Sequence, residues 1–157
     1  MHIRVFQSFL YNNHSSKTRN TKNEVTKMTH PIVHFEIPVD NVIRAKKFYE
    51  KIFGWEMTKF PMPEGDYWIV RTTDVDKNMK PTTPGAINGG MMRRKSPKQQ
   101  FMNYISVKSI DAMCKTITSN GGKIVMPKQE IGKGMGWIAA FKDPEGNIMG
   151  LHQEGEM

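Results

Sequence analysis

His34 to Trp55 reads HFEIPVDNVIRAKKFYEKIFGW: a short apolar strand, an Asp-Asn turn, an amphipathic helix and a glycine exit. Alternation from Pro31 to Val39 puts Val33, Phe35, Ile37 and Val39 on one face of the strand and His34, Glu36 and Pro38 on the other. One face is therefore expected to meet a helix and the other to look onto something polar. Asn41 is placed to cap the helix, in which Val42, Ala45, Phe48, Tyr49 and Ile52 recur at three-to-four spacing. Arg44, Lys46, Lys47, Glu50 and Lys51 point largely outward, and Gly54 supplies the left-handed residue that a helix end favours.

The rest of the chain extends this unit and then repeats it. WEMTKF (55–60) and DYWIVRTT (66–73) read as two strands around a Pro-Glu-Gly-Asp turn. A Pro- and Lys-rich loop from Asp74 to Pro84 leads to GAINGGMMRR (85–94), a fourth strand weakened by its glycines. FMNYISV (101–107) then opens a second pass, with Ser109 as N-cap and Ile110, Met113, Cys114 and Ile117 as the helical stripe. Cys114 on that stripe reads as core and not as a nucleophile. GKIVMP (122–127) is a strand, and GWIAAFKDPEGNIMGLHQ (136–153) is a hairpin turning at DPEGN. Superposing Val39 on Val107 also superposes Gly54 on Gly122 and His34 on Met102, all at an offset of 68 residues. The pattern predicts an α+β protein of two tandem βαβββ modules, about 31–94 and about 100–153, within a single domain at 29–157.

Composition bounds the function. A chain of 157 residues can bury roughly two-thirds of its extended-chain surface. The single Cys114 suits a reducing, cytoplasmic setting, and no apolar run approaches the roughly 20 residues of a membrane span. Half of the net charge of +8 lies in residues 1–28, where five basic residues face Glu24 alone. That stretch offers little to bury and is expected to be a disordered tail. It reads as a misassigned start with Met28 as the natural first residue, the alternative being a weak targeting leader. Arg93, Arg94, Lys95 and Lys98 form a second basic cluster, read as a solvated linker. Neither cluster adjoins a recognition helix or stacking aromatics, so no nucleic-acid partner is expected.

HFEIPVDNVIRAKKFYEKIFGW followed by KDPEGNIMGL (142–151) resembles the vicinal-oxygen-chelate superfamily, which contains glyoxalase I, bleomycin- and fosfomycin-resistance proteins and extradiol dioxygenases. The resemblance covers residues 31–153. It implies curved mixed sheets enclosing a cavity, commonly in a homodimer. In members that do chemistry it implies a divalent metal, such as nickel, zinc, manganese or iron, bound by His and Glu from the first and last strands of each module. His34 falls on the first-strand histidine. Met102 stands where the second module often has another, Gly150 stands where a glutamate usually precedes the leucine, and AINGGMM has no ligand. One position of four survives, too few for a catalytic metal that three or more protein ligands ordinarily hold.

His152 and Glu36 each lie two residues from such a position, and therefore on the same strand face. His34, Glu36 and His152 are accordingly alternatives for a metal site, for an acid-base pair, or for hydrogen-bonding residues of a metal-free pocket. Tyr67, Trp68, Tyr104, Trp137 and Phe141, with Met91, Met92, Met102 and Met135, supply candidate walls, of which alternation sends about half to the helices. Tyr104 and Met102 share a parity and are the preferred pair, while Met149 and Leu151 are assigned to the core. GKGMGW (132–137) is expected to flap over the cavity mouth. The function expected is binding of a small molecule in a metal-free cavity. The alternative is a divergent metal-dependent lyase, isomerase or dioxygenase.

Overall fold

A computed structural model describes residues 29–62, 65–77, 79–132 and 135–155. The expectations for residues 1–28, and for Lys133 and Gly134 of the glycine-rich loop, lie outside the described residues. The elements run β1 (Ile32–Val39), α1 (Val42–Phe53), β2 (Glu56–Met62), β3 (Gly65–Arg71), β4 (Gly89–Arg93), β5 (Met102–Ser106), α2 (Ile110–Ser119), β6 (Lys123–Gly132), β7 (Gly136–Lys142) and β8 (Ile148–Gln153). Each half is a βαβββ unit. The strands form one mixed sheet in the order β2-β3-β4-β1-β5-β8-β7-β6, curved but not closed.

Two kinds of pairing build it. Within each half the first strand runs parallel to the last: Glu36 stands beside Gly90 on β4, and Tyr104 beside Gly150 on β8. Between the halves β1 and β5 pair antiparallel, with His34 opposite Tyr104, Phe35 opposite Asn103 and Glu36 opposite Met102. These registers relate the halves by an approximate two-fold axis near Phe35 and Asn103, residues themselves 68 apart. The same relation matches Met92 with His152 and Tyr67 with Ile138.

The helices cover the convex face. Phe35, Met57, Val70 and Met91 form one core, with Val42, Ala45 and Tyr49 of α1 packed on it. Val107, Ile110, Ala139 and Leu151 form the second, with Met113, Cys114 and Ile117 of α2. Trp68 joins the first of these, and Trp137 and Phe141 the second. Met149 is half-buried, whereas Leu151 is fully buried. Burial and the nearby Asp111 raise the Cys114 thiol above its ordinary range, as suits a packing role. Phe48 and Ile52 depart from expectation. Both are more than half exposed, because α1 buries only the narrow stripe through Val42, Ala45 and Tyr49, and Phe48 instead meets Tyr49 and Phe53 edge-on.

Both helix starts are capped as read: the Asn41 side chain accepts from the Arg44 N–H and the Ser109 hydroxyl from the Ala112 N–H. Gly54 ends α1 at φ 68° in open space, so an added methyl there would meet backbone strain and no clash. In urea unfolding, Asn41→Ala is expected to cost about 1 kcal/mol and Gly54→Ala about 1–2 kcal/mol. Equal stability of Gly54→Ala and the parent would overturn the left-handed assignment.

Candidate functional site

Strand alternation sends the remaining set of side chains to the concave face. His34 and Glu36 from β1, Met102 and Tyr104 from β5, and His152 from β8 meet on the walls of one cavity of about 1230 Å³. All five were singled out in the sequence. Tyr67 and Met92 complete the floor from β3 and β4. Ile131 of β6 and Met135, between β6 and β7, pack against Tyr67 and Ile69.

The polar contacts on the floor are few and short. The Tyr104 hydroxyl donates to Glu36 Oε2 at 2.8 Å, joining residues at equivalent places in the two halves. His34 Nε2 shares a 2.8 Å hydrogen bond with the Tyr67 hydroxyl, and the Tyr104 ring stands edge-on to the His34 ring with centroids 5.8 Å apart. His34 Nδ1 and both ring nitrogens of His152 are buried with no protein partner. Exposure is 5% for His34 and 1% for His152, so these nitrogens are withdrawn from bulk solvent.

Charge is disfavoured throughout this floor. Burial, and secondarily the neighbouring His152, lowers the His34 pKa to about 3, and burial lowers that of His152 to about 4, so both imidazoles are neutral at pH 7. Burial raises the Glu36 carboxyl, against the opposing pull of the Tyr104 hydrogen bond and the Lys95 charge. Burial, then the Glu36 charge, holds the phenols of Tyr104 and Tyr67 above their ordinary range.

Of the basic connection, Arg93, Lys95 and Lys98 are exposed as a solvated linker would be, whereas Arg94 is held. Arg94 donates to Asp40 Oδ1 at 3.1 Å, to the Pro38 carbonyl at 2.8 Å and to the Gln99 carbonyl, fastening the segment to the end of β1. Arg93, Arg94 and Lys95 border the cavity. The sequence reading missed this because basic density alone does not tell a rim from a linker. The parallel register that ends β4 beside Val39 was the signal that could have found it.

The residues present do not fit the metal that the resemblance implied. Among the described residues no group of three or more His, Cys, Asp or Glu side chains is arranged to hold an ion. Gly150 stands at the expected carboxylate position, and Gly90 is its equivalent in the first half by register. A Cβ on Gly90 would lie 1.7 Å from the Tyr67 hydroxyl, and a Cβ on Gly150 would lie 2.3 Å from the Tyr104 ring. The phenols occupy the volume into which carboxylates would project. One of them also takes His34 Nε2, and the expectation that His34, Glu36 and His152 could form a three-ligand set is not met.

Two outcomes follow from this geometry. Gly150→Ala is expected to cost about 1–3 kcal/mol through overpacking. In a Tyr104→Leu background most of that cost should vanish in a double-mutant cycle; additive costs would overturn the steric reading. The second concerns acid. A histidine with a folded-state pKa below 6.5 has no differential effect above that pH. As pH falls below it the unfolded chain takes up a proton that the fold refuses, and stability is withdrawn until the folded pKa is reached. His34 and His152 should each withdraw up to about 1.4 kcal/mol per pH unit between about pH 6 and 4.5, while the raised Glu36 carboxyl acts oppositely from its folded pKa down to its ordinary value, equally in parent and variant. Urea midpoints measured across this window should fall less steeply in His152→Leu than in the parent. An unchanged slope would show that His152 is not the refused proton site.

Residues 31–150 match the Glyoxalase/Bleomycin resistance protein/Dioxygenase superfamily. A Glyoxylase-like domain-containing protein of Didymella fabae is 34% identical over 116 residues, 71% of this chain and 84% of that protein. CFP32 of Mycobacterium bovis is 31% identical over 112 residues, 69% of this chain, and the chain spans only 40% of its length. In fold, the chain is similar to a Streptomyces coelicolor methylmalonyl-CoA epimerase variant in complex with 2-nitronate-propionyl-CoA, at TM-score 0.58 and 15% identity over 80% of this chain and 97% of that one. The βαβββ repeat, the curved mixed sheet and these matches agree: the chain belongs to the Glyoxalase/Bleomycin resistance protein/Dioxygenase superfamily.

Proposed function

We propose that this protein binds an apolar or amphipathic small molecule in the concave cavity without a resident metal. The observation that carries the proposal is the filling of both carboxylate positions by tyrosine: Gly90 and Gly150 leave room that Tyr67 and Tyr104 occupy. A binding cavity needs walls that adapt and a few polar groups that orient. Met62, Met92, Met102 and Met126 supply polarisable, rotatable thioethers along the walls. His34, Glu36, Tyr104 and His152 supply the polar groups, each fixed on a strand. The epimerase similar in fold was solved with a CoA ester analogue, and a basic rim of Arg93 and Lys95 suits an anionic end on a ligand projecting from the mouth.

The protein acts in this reading as a homodimer, as the family resemblance implies, in the reducing, cytoplasmic setting that its single Cys114 suits. Among the described residues no helix is long and apolar enough to cross a membrane. The enzyme alternative, a metal-dependent lyase, isomerase or dioxygenase built on His34, His152 and Glu36, has fewer supports. Glu36 Oε2 already accepts from Tyr104 and His34 Nε2 already bonds to Tyr67, so recruiting either of these two atoms as a ligand breaks a buried hydrogen bond.

The test joins elemental analysis to dye binding. Protein purified without chelator and incubated with nickel, zinc, manganese or iron(II) is expected to hold no stoichiometric metal. It should bind 1-anilinonaphthalene-8-sulfonate saturably, with chelator making no difference and Tyr104→Ala weakening binding by about tenfold. One metal per chain, lost in His34→Ala and His152→Ala, would overturn the proposal in favour of the enzyme. Dye binding unchanged in both Tyr104→Ala and His34→Ala would overturn the placement of the cavity.

A further inference from the structure

Resting on that reading, the floor of the cavity specifies the chemistry of the ligand more narrowly. His34 and His152 come from strands in different halves, β1 and β8, yet both face the same cavity. Between them they present three ring nitrogens buried without a protein partner. Buried polar groups in folded proteins are almost always satisfied, so three orphaned nitrogens on two residues that line one cavity mark a place where something else completes the hydrogen bonding. A neutral imidazole carries one N–H donor and one bare nitrogen acceptor. The pair therefore offers both donor and acceptor capacity, and it calls for a partner that can accept and donate from one small group.

The surroundings select among partners. A carboxylate or phosphate placed here would approach the Glu36 carboxyl, which lies on the same face of β1 two residues from His34. Among the described residues the cations lining the cavity are Lys59, paired with Asp66, and Arg93, Arg94 and Lys95 of the basic connection, of which Lys95 already acts on Glu36. An ammonium group, which donates and cannot accept, would leave the imidazole N–H donors unpaired. A hydroxyl meets neither objection. The walls next to the histidines are the Tyr104 ring, Met102, Met92 and Ile138, a combination of flat aromatic and thioether surfaces suited to an aromatic ring. We infer that the His34–His152 floor is a recognition site for a neutral hydroxyl group carried on an aromatic ring, a phenol or a hydroxylated polycycle, with the ring seated against Tyr104 and Met102.

Three probes of one size separate the possibilities: 2-naphthol, which donates and accepts; 2-methoxynaphthalene, which only accepts; and 2-naphthoate, which is anionic. Binding is followed by probe fluorescence on the full chain at neutral pH. The parent protein is expected to bind 2-naphthol at least about tenfold more tightly than either of the others, the difference that hydrogen bonds to a buried, otherwise unpaired site make. In His152→Leu the preference for 2-naphthol over 2-methoxynaphthalene should fall to within about threefold while 2-methoxynaphthalene still binds. His152→Gln, which keeps a donor and an acceptor, should retain most of the preference. Equal binding of 2-naphthol and 2-methoxynaphthalene by the parent overturns the hydroxyl inference and leaves the binding reading standing. Preference for 2-naphthoate overturns it in favour of an anion site. Failure of all three probes together with 1-anilinonaphthalene-8-sulfonate overturns the binding reading itself. The parent series decides these outcomes even where a variant does not fold.

Discussion

The antiparallel pairing of β1 with β5 is the contact on which the rest of the molecule depends. Each βαβββ half could form its own small sheet, with the first strand running parallel to the last, but such a sheet would leave the outer edge of its first strand unpaired. Joining those two edges removes the problem for both halves at once and yields a continuous eight-stranded sheet. It also fixes which side chains can meet. Residues near the two-fold axis are brought face to face with their own equivalents, which is why Glu36 and Tyr104, 68 positions apart, share a hydrogen bond. The site is thus a property of the junction and not of either half.

An approximate two-fold axis would by itself produce a symmetric cavity, and the sequence breaks that symmetry pair by pair. His34 is matched by Met102, Glu36 by Tyr104, His152 by Met92 and Tyr67 by Ile138. In each pair but the second, a hydrogen-bonding side chain faces an apolar one. The polar groups consequently do not fall into two identical sets of ligands around the axis. They form two separate hydrogen-bonded pairs, His34 with Tyr67 and Glu36 with Tyr104, alongside His152, which has no protein partner. Burial then keeps all of them uncharged or pushes them in that direction, because a desolvated charge without a strong partner costs more than losing or holding a proton.

Much of this was legible because period-2 and period-3.6 patterns report which face of an element is buried. The alternation through Val33 to Val39 separated the helix-facing residues from His34 and Glu36, and the shared parity of Met102 and Tyr104 put them on the cavity side. The 68-residue offset located the repeat through Gly54 and Gly122. Other features depend on distances across the sheet, which no local pattern encodes. That Tyr67 would fill the space above Gly90 follows from the β3–β4 register, in which Tyr67 stands opposite Met92. The rim position of Lys95 follows from Arg94 fastening its segment to Asp40 and Pro38. The exposure of Phe48 and Ile52 shows the reverse limitation: an apolar stripe can be wider than the sheet surface available to cover it.

The glycines of β4 and β8 connect these points. In a strand interior glycine weakens the ladder, since it packs nothing and is conformationally costly to order. Gly90 and Gly150 are nonetheless at equivalent places beside Glu36 and Tyr104, each with an aromatic ring standing where its Cβ would be. The loss at the glycine is offset by the aromatic surface that the gap admits, and only a residue without a side chain permits the exchange. A side chain at either place would therefore require the facing tyrosine to shift, and with it the partner of His34 or of Glu36. The two tyrosines that fill the room left by Gly90 and Gly150 are also the hydrogen-bond partners of His34 and Glu36, so the packing at the glycines and the polar contacts of the floor are set by the same two rings.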